Sequence, residues 1–211
     1  MTARRPPAAP LEGRFLRLET FDAASHTAGL QDALAHADVF AGGYGGGPEG
    51  LPRTAEEFAR WVAGYGTGSD AIKFVARIVG GEFDGRIVGA STLGDLDEEQ
   101  EKAHIGWTAW DPRVWGTQVN PEAKLLMLGL AFDHGFGRVK LQADSRNERS
   151  RTAILRLGAS FEGILRRDRI RADGTFSGTA VYSILTEEWP AVREGLERRL
   201  AIYPRPVRLH G

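Results

Sequence analysis

Residues 103–136 read AHIGWTAWDPRVWGTQVNPEAKLLMLGLAFDHGF. This succession of a strand, a loop and an abrupt apolar helix narrows the fold more than any other part of the chain. His104 to Trp110 is rich in β-branched and aromatic residues, and strict alternation puts Ile105, Trp107 and Ala109 on one face with His104, Gly106, Thr108 and Trp110 on the other. Gly106 inside the strand predicts a bulge, or a place where something must approach the backbone closely. Asp111-Pro112 ends the strand, since proline cannot donate to a sheet and restrains the residue before it. Asn120-Pro121-Glu122 then opens a helix, with Asn as cap, Pro where no N–H is needed, and Glu against the positive end of the dipole.

From Leu125 to Phe132 that helix is apolar on every side except at Gly129, so it is expected to lie buried against a sheet. The amides from Gly116 to Asn120 would converge at its start, a geometry that binds phosphate or pyrophosphate but also occurs in a plain strand-to-helix turn. This stretch by itself leaves both readings open.

The rest of the chain supplies a mixed order of elements. Residues 1–10, with their prolines and arginines, read as a flexible arm, residues 11–203 as one domain, and residues 204–211 as a tail. Phe15 to Glu19 is a first strand, and Asp22 caps a helix carrying Leu30, Ala33, Leu34 and Ala37. Ala41 to Pro52, AGGYGGGPEGLP, lacks the spacing of a phosphate loop and reads as a flexible surface loop in which Tyr44 is the side chain able to touch a ligand. Thr54 and Glu57 form a capping box for a second helix. Ala71 to Val79 and Arg86 to Leu93 are two strands of a hairpin, and the acidic run Asp95 to Glu101 is a loop in which Asp95 and Asp97 are placed to attract a cationic amine.

Arg138 to Ala143 should run parallel to Ile105–Trp110, because a buried helix crosses between them. Asn147 caps a helix that ends at Gly158, and Ser160 to Leu165 with Thr179 to Leu185 close the sheet. Glu187 to Leu200 is a final amphipathic helix. The plan is α+β, not the strict alternation of a dinucleotide-binding sheet.

Composition excludes some chemistry. With 27 basic and 28 acidic residues the net charge is −1, so no global field draws nucleic acid or an anionic membrane. The absence of cysteine removes disulfides, thiolate catalysis and Cys-ligated metal. The five histidines lack metal-ligand spacing, so no metal is expected. No signal-peptide core or membrane-length apolar run is present, and the default location is cytoplasmic.

Arg113-Val-Trp-Gly116-Thr-Gln118, the following WGTQVNPEAKLLML, Asn147-Glu-Arg-Ser150-Arg151 and Leu157-Gly158-Ala159-Ser160-Phe161-Glu162-Gly163 together resemble the Gcn5-related N-acetyltransferase (GNAT) superfamily. Within it they resemble the branch similar to ribosomal-protein N-terminal acetyltransferases. The likeness spans about Leu11 to Leu200. It implies a mixed, mostly antiparallel sheet with a splayed pair of parallel strands and helices on both faces, and acetyl-CoA as co-substrate with no metal. Gln118 departs from the superfamily's loop, where Gly or Ala is usual, so it would narrow the cofactor loop or add a contact of its own.

The resemblance implies that Trp107, Thr108 and Ala109 meet the pantetheine arm. Arg113, Arg151, Gly116, Thr117, Gln118, Val119 and Asn120 would surround the pyrophosphate, and Asn147 and Ser150 would contact the rest of the cofactor. Arg149 is a further basic side chain expected near the phosphates. Ser150 stands where the branch uses a hydroxyl near the sulfur, and is the candidate proton donor; no tyrosine lies between Tyr65 and Tyr182 to take that role. His104, with an unperturbed pKa near neutrality, is the first candidate base and Glu162 the second. The expected reaction is direct acetyl transfer to a primary amine, a protein N-terminus or a small amine, with a second copy of the chain as a candidate partner. Two alternatives are a non-catalytic acyl-CoA-binding module and a nucleotide-binding protein using Gly42 to Gly47.

Overall fold

The computed structural model describes residues 3–68, 70–203 and 206–210. In chain order the elements are β1 (Leu11–Glu12), β2 (Leu16–Thr20), α1 (Ala23–Leu34), α2 (Ala37–Ala41), α3 (Ala55–Gly64), β3 (Ile72–Ile78), β4 (Ile87–Asp97) and β5 (Lys102–Trp110). They continue with α4 (Val119–Asp133), β6 (Arg138–Asp144), α5 (Glu148–Leu155), β7 (Ser160–Ile170), β8 (Phe176–Leu185) and α6 (Trp189–Ala201). Among the described residues one eight-stranded sheet runs in the order β1-β2-β3-β4-β5-β6-β8-β7. The pairs are antiparallel except β5 with β6, which the α4 crossover makes parallel. No helix among the described residues is long and apolar enough to cross a membrane.

The sheet separates two apolar clusters. Ile72, Phe74, Ala76 and Ile78 of β3 join α4 and α6 on one face, while Val75 joins α1, α2 and α3 on the other. Local signals start the helices as expected: Asp22 Oδ1 accepts the Ser25 N–H at 3.0 Å, and Thr54 Oγ1 accepts that of Glu57 at 3.1 Å. Helix α4 begins earlier than Asn120 suggests, with Gln118 at the cap position. Glu122 does not serve the dipole either; its carboxylate turns to the first strand and accepts the N–H groups of Arg14, Phe15 and Leu16 at 2.7, 2.8 and 2.7 Å.

Residues 3–10 and 206–210 pack against the domain. Residues 3–10, expected to form a mobile arm, begin with Ala3, 5% exposed in the core, and the Arg4 N–H donates to the His134 carbonyl at 3.0 Å. In the tail, the Val207 side chain is buried and the His210 N–H donates to Arg113 O at 2.9 Å. Ala3 and Val207 both belong to the main apolar cluster. Met1, Thr2, Pro204, Arg205 and Gly211 lie outside the described residues.

The glycine-rich loop is also anchored. It coils into two short turns, Tyr44–Gly46 and Pro48–Gly50, and the Tyr44 ring packs edge-on against Phe40, Trp61 and Tyr65. The acidic run is likewise shorter as a loop than expected, because β4 continues through Asp97.

Candidate active site

Strands β5 and β6 are paired only where Lys102, Ala103 and His104 meet Arg138, Val139 and Lys140, and beyond His104 they part. At the same place β5 bulges. Ala90 and Thr92 of β4 pair with Ala109 and Gly106, so Ser91 faces two residues, and Trp107 sits at φ 48°. The extra residue shifts the alternation: Ile105 and Trp110 share one cluster and Ala109 belongs to the other, which corrects the faces expected from a regular strand. Gly89 permits the close approach of β4 here; with φ 143°, a Cβ added to it would lie 2.1 Å from the Ala109 carbonyl oxygen.

The gap opens into a cleft of about 460 Å³ bounded by β5, the loop before α4, the first turns of α4, and the start of α5. At the head of α4, the N–H groups of Gly116, Gln118 and Asn120 have no acceptor among the described residues. Free amides of this kind occur both at an anion-binding helix start and at a plain strand-to-helix turn. Trp107, Thr108, Ala109, Gly116, Thr117, Asn120, Asn147 and Ser150 all line the cleft, as does Tyr44.

Other expected residues are engaged elsewhere. Arg113 is clamped on the fully buried Asp111 at 2.6 Å, and Arg151 donates to Tyr182 Oη and Ser145 O at 3.1 and 3.0 Å. Gln118 and Val119 are 4% and 0% exposed and lie off the cleft wall, so Gln118 neither narrows the cleft nor reaches into it with its side chain. Asn147 uses its amide at both ends, accepting the Ser150 N–H at 3.0 Å and donating to Gly42 O at 2.7 Å. Of the arginines expected at the phosphates, Arg149 remains at the cleft, its guanidinium 3.3 Å from the centre of the Trp115 ring.

Glu162 is not brought to the cleft. It stands on the exposed edge strand β7, paired with Arg138 at 2.8 Å and with the Ser183 hydroxyl. The Ser183 bond, followed by Arg138, holds its carboxyl below the ordinary value, which suits a structural acceptor better than a base. Asp97 accepts the Gln100 N–H in a turn, and Asp95 is engaged by Lys140 and by the His104 ring.

His104 is 1% exposed, immediately behind the bulge. Its Nδ1 lies 3.0 Å from Asp95 Oδ2, which also receives Lys140 Nζ at 3.1 Å, while Nε2 has no partner. A buried N–H without an acceptor is dearer than an unused lone pair, so the favoured tautomer carries its proton on Nδ1 and leaves Nε2 basic. Burial lowers the His104 pKa, with the Asp95 bond opposing it; the His104 hydrogen bond first, and Lys140 next, hold the Asp95 carboxyl well below the usual range. Nε2 points at the backbone of Gly106, where an added Cβ would lie only 2.6 Å away. The Trp107 ring, its centre 4.9 Å from that of His104, also lines a second hollow together with Asp70 and Asp95.

Among the cleft residues outside the expected set is a buried lysine. Lys124 projects from the second turn of α4, 4% exposed, onto Thr108 and Ser91. The signal was present in the sequence as a lone lysine four residues after Asn120 on an otherwise apolar helix, where i and i+4 share a face.

Residues 16–160 match the family described as Acetyltransferase (GNAT) domain. A protein named ribosomal N-acetyltransferase YdaF from Bacillus subtilis (strain 168) is 31% identical over 109 residues, 51% of this chain and 58% of that protein. The chain therefore spans little more than half the length of this curated relative. A GCN5-related N-acetyltransferase from Brucella melitensis superposes with a TM-score of 0.85 at 28% identity, covering 95% of this chain and 89% of that one. An acetyltransferase from T. thermophilus gives 0.77 at 32% identity, over 90% and 96% of the two chains. With its splayed strands, its bulge and more than half of its length matched by the profile, the chain belongs to the GNAT acetyltransferase family.

Proposed function

We propose that the protein transfers the acetyl group of acetyl-CoA to a primary amine by direct attack within a ternary complex. The observation that carries this reading is the parting of β5 from β6 beyond His104, into the same cleft that the head of α4 with its free amides lines. An extended thioester-bearing arm fits the gap, and its diphosphate fits the helix terminus. Bulging at Trp107 frees backbone N–H groups of β5 to hold the carbonyl oxygen as it gains charge, an interaction worth about 3 kcal/mol of barrier per donor. With no cysteine in the chain, an acyl-cysteine intermediate is ruled out.

The incoming amine must lose a proton. His104, oriented by Asp95 and packed against Gly106 behind the bulge, is the group we assign to accept it. The Ser150 hydroxyl, on the cleft wall, donates a hydrogen bond to the departing sulfur. A hydrogen bond to a developing charge is worth about 1.5–3 kcal/mol, so Ser150→Ala should lower kcat roughly 10- to 100-fold in steady-state assays while the KM for acetyl-CoA stays nearly constant. An unchanged kcat would reduce Ser150 to a helix-start residue.

Similarity to a ribosomal N-acetyltransferase makes a protein N-terminus the first acceptor to try, with small amines second. Mass-spectrometric detection of acetylated product over a panel of peptide N-termini and small amines tests the reading. Tight CoA binding without product on any acceptor would favour the non-catalytic acyl-CoA-binding module.

A further inference from the structure

Lys124 is a buried cation whose partners are two hydroxyls. Its Nζ donates to Thr108 Oγ1 at 2.6 Å and to Ser91 Oγ at 2.9 Å, and those oxygens are 2.7 Å apart. Among the described residues it makes no contact with a carboxylate, and burial alone brings its pKa down to about 7. The other buried lysine has a structural explanation. Lys73 donates to the Val62 and Tyr65 carbonyls at the end of α3 and lies over the Phe21 ring. Lys124 caps no helix; it is joined to groups that both accept and donate a proton, and one of them, Thr108, lines the cleft next to the bulge.

We propose that Lys124, acting through the hydroxyl of Thr108, is the proton source for the thiolate that leaves during acetyl transfer. The inference rests on the acetyl-transfer reading above. The amine lone pair forms the C–N bond to the thioester carbon, and on collapse the C–S pair passes to sulfur. Thr108 gives its hydroxyl proton to that sulfur while the Lys124 ammonium gives one to the Thr108 oxygen. Neutral Lys124 then regains a proton from water, balancing the one that the acceptor amine sheds, so the products are amide and thiol. An ordinary lysine, at about 10.4, holds its proton too tightly to protonate a thiolate whose acid titrates at about 8.5. A lysine near 7 gives it up downhill. Ser150 can hydrogen-bond the sulfur, but among the described residues no amine is hydrogen-bonded to it to replace a lost proton.

Other charged groups around the site do not alter this assignment. Glu148, Arg149, Arg156 and Arg199 stand on the cleft wall, and among the described residues none of them is hydrogen-bonded to Lys124. Glu122, on the same helix, is occupied by three backbone N–H groups, and His104 on β5 is paired with Asp95.

The test uses the full chain, with acetyl-CoA and an acceptor that the wild type turns over. Lys124→Met and Thr108→Val should each lower kcat on the order of 10²-fold. The KM for acetyl-CoA should change by less than about threefold, and Thr108→Ser should restore most of the rate. Wild-type kcat should fall as pH rises past about 7, where the ammonium is lost, and Lys124→Met should lack that limb. Its thermal midpoint should stay within a few degrees of wild type, because the Thr108 and Ser91 hydroxyls, 2.7 Å apart, still bond each other, which separates lost chemistry from lost folding. Variants with wild-type kcat and an unchanged alkaline limb would overturn the role of Lys124 alone. Failure of the wild type on every acceptor would overturn the acetyl-transfer reading and this inference with it.

Discussion

Replacing His104 with glutamine should lower kcat by about two orders of magnitude, the usual contribution of a positioned proton acceptor, without a matching change in acetyl-CoA KM. Glutamine keeps most of the bulk in a site that is 1% exposed, so the loss measures the imidazole and not a cavity. The pH profile is the sharper readout. Neutral imidazole is the active form, so activity falls as pH drops through the His104 pKa; because burial lowers that pKa, the acid limb should lie below the usual value of about 6.5. Stability has the same sign: a histidine that the fold keeps neutral favours the folded state above its unfolded pKa and ceases to do so as pH falls through the folded one. Asp95→Asn should move activity the same way, since it removes the carboxylate that orients Nδ1. A glutamine variant whose rate loss merely follows its loss of folded protein, with the acid limb unmoved, would make His104 a structural residue.

The largest effect on stability is expected at Glu122. Alanine there leaves the N–H groups of Arg14, Phe15 and Leu16 without their shared acceptor, and the side chains of Phe15 and Leu16 are 1% and 0% exposed, so water does not readily take its place. Each unmet buried donor costs about 1–3 kcal/mol, and partial relaxation puts the total at roughly 3–5 kcal/mol. For a chain of this size that lowers the thermal midpoint by roughly 8–15 °C. Glutamine, which keeps one acceptor oxygen but introduces a donor facing other donors, should fall between the two. A melt of Glu122→Ala within about 1 kcal/mol of wild type would show that the first strand is held by its sheet pairing and not by this carboxylate.

Local chemistry in the sequence is enough for much of the scaffold. Asp22, Thr54 and Asn147 are read as caps from their neighbours alone, and each accepts the predicted N–H. The βαβ crossover follows from an apolar helix between two strands, since such a helix can be buried only against the sheet those strands join. Cleft-lining residues are legible wherever the backbone path decides the matter: Trp107 to Ala109 are placed by the bulge, and Gly116, Thr117 and Asn120 by the helix start. Side chains with long reach are less so. Arg113 and Arg151 read as phosphate ligands, yet each has carboxylate, hydroxyl or carbonyl partners within the fold. Glu162 is a candidate base by its place on the strand after α5, and an arginine from β6 and a serine from β8 claim it instead.

Neighbours a few positions apart suffice to specify the strand, loop and apolar helix, the order of elements and the caps, because periodicity and capping act over that range. Folding was needed to make β5 bulge at Trp107, to bring His104 and Lys140 together on the Asp95 carboxylate, and to seal Lys124 against Thr108 and Ser91. Those features arise from register between strands and from the removal of water, and both depend on residues distant in the chain that meet only when the sheet has formed.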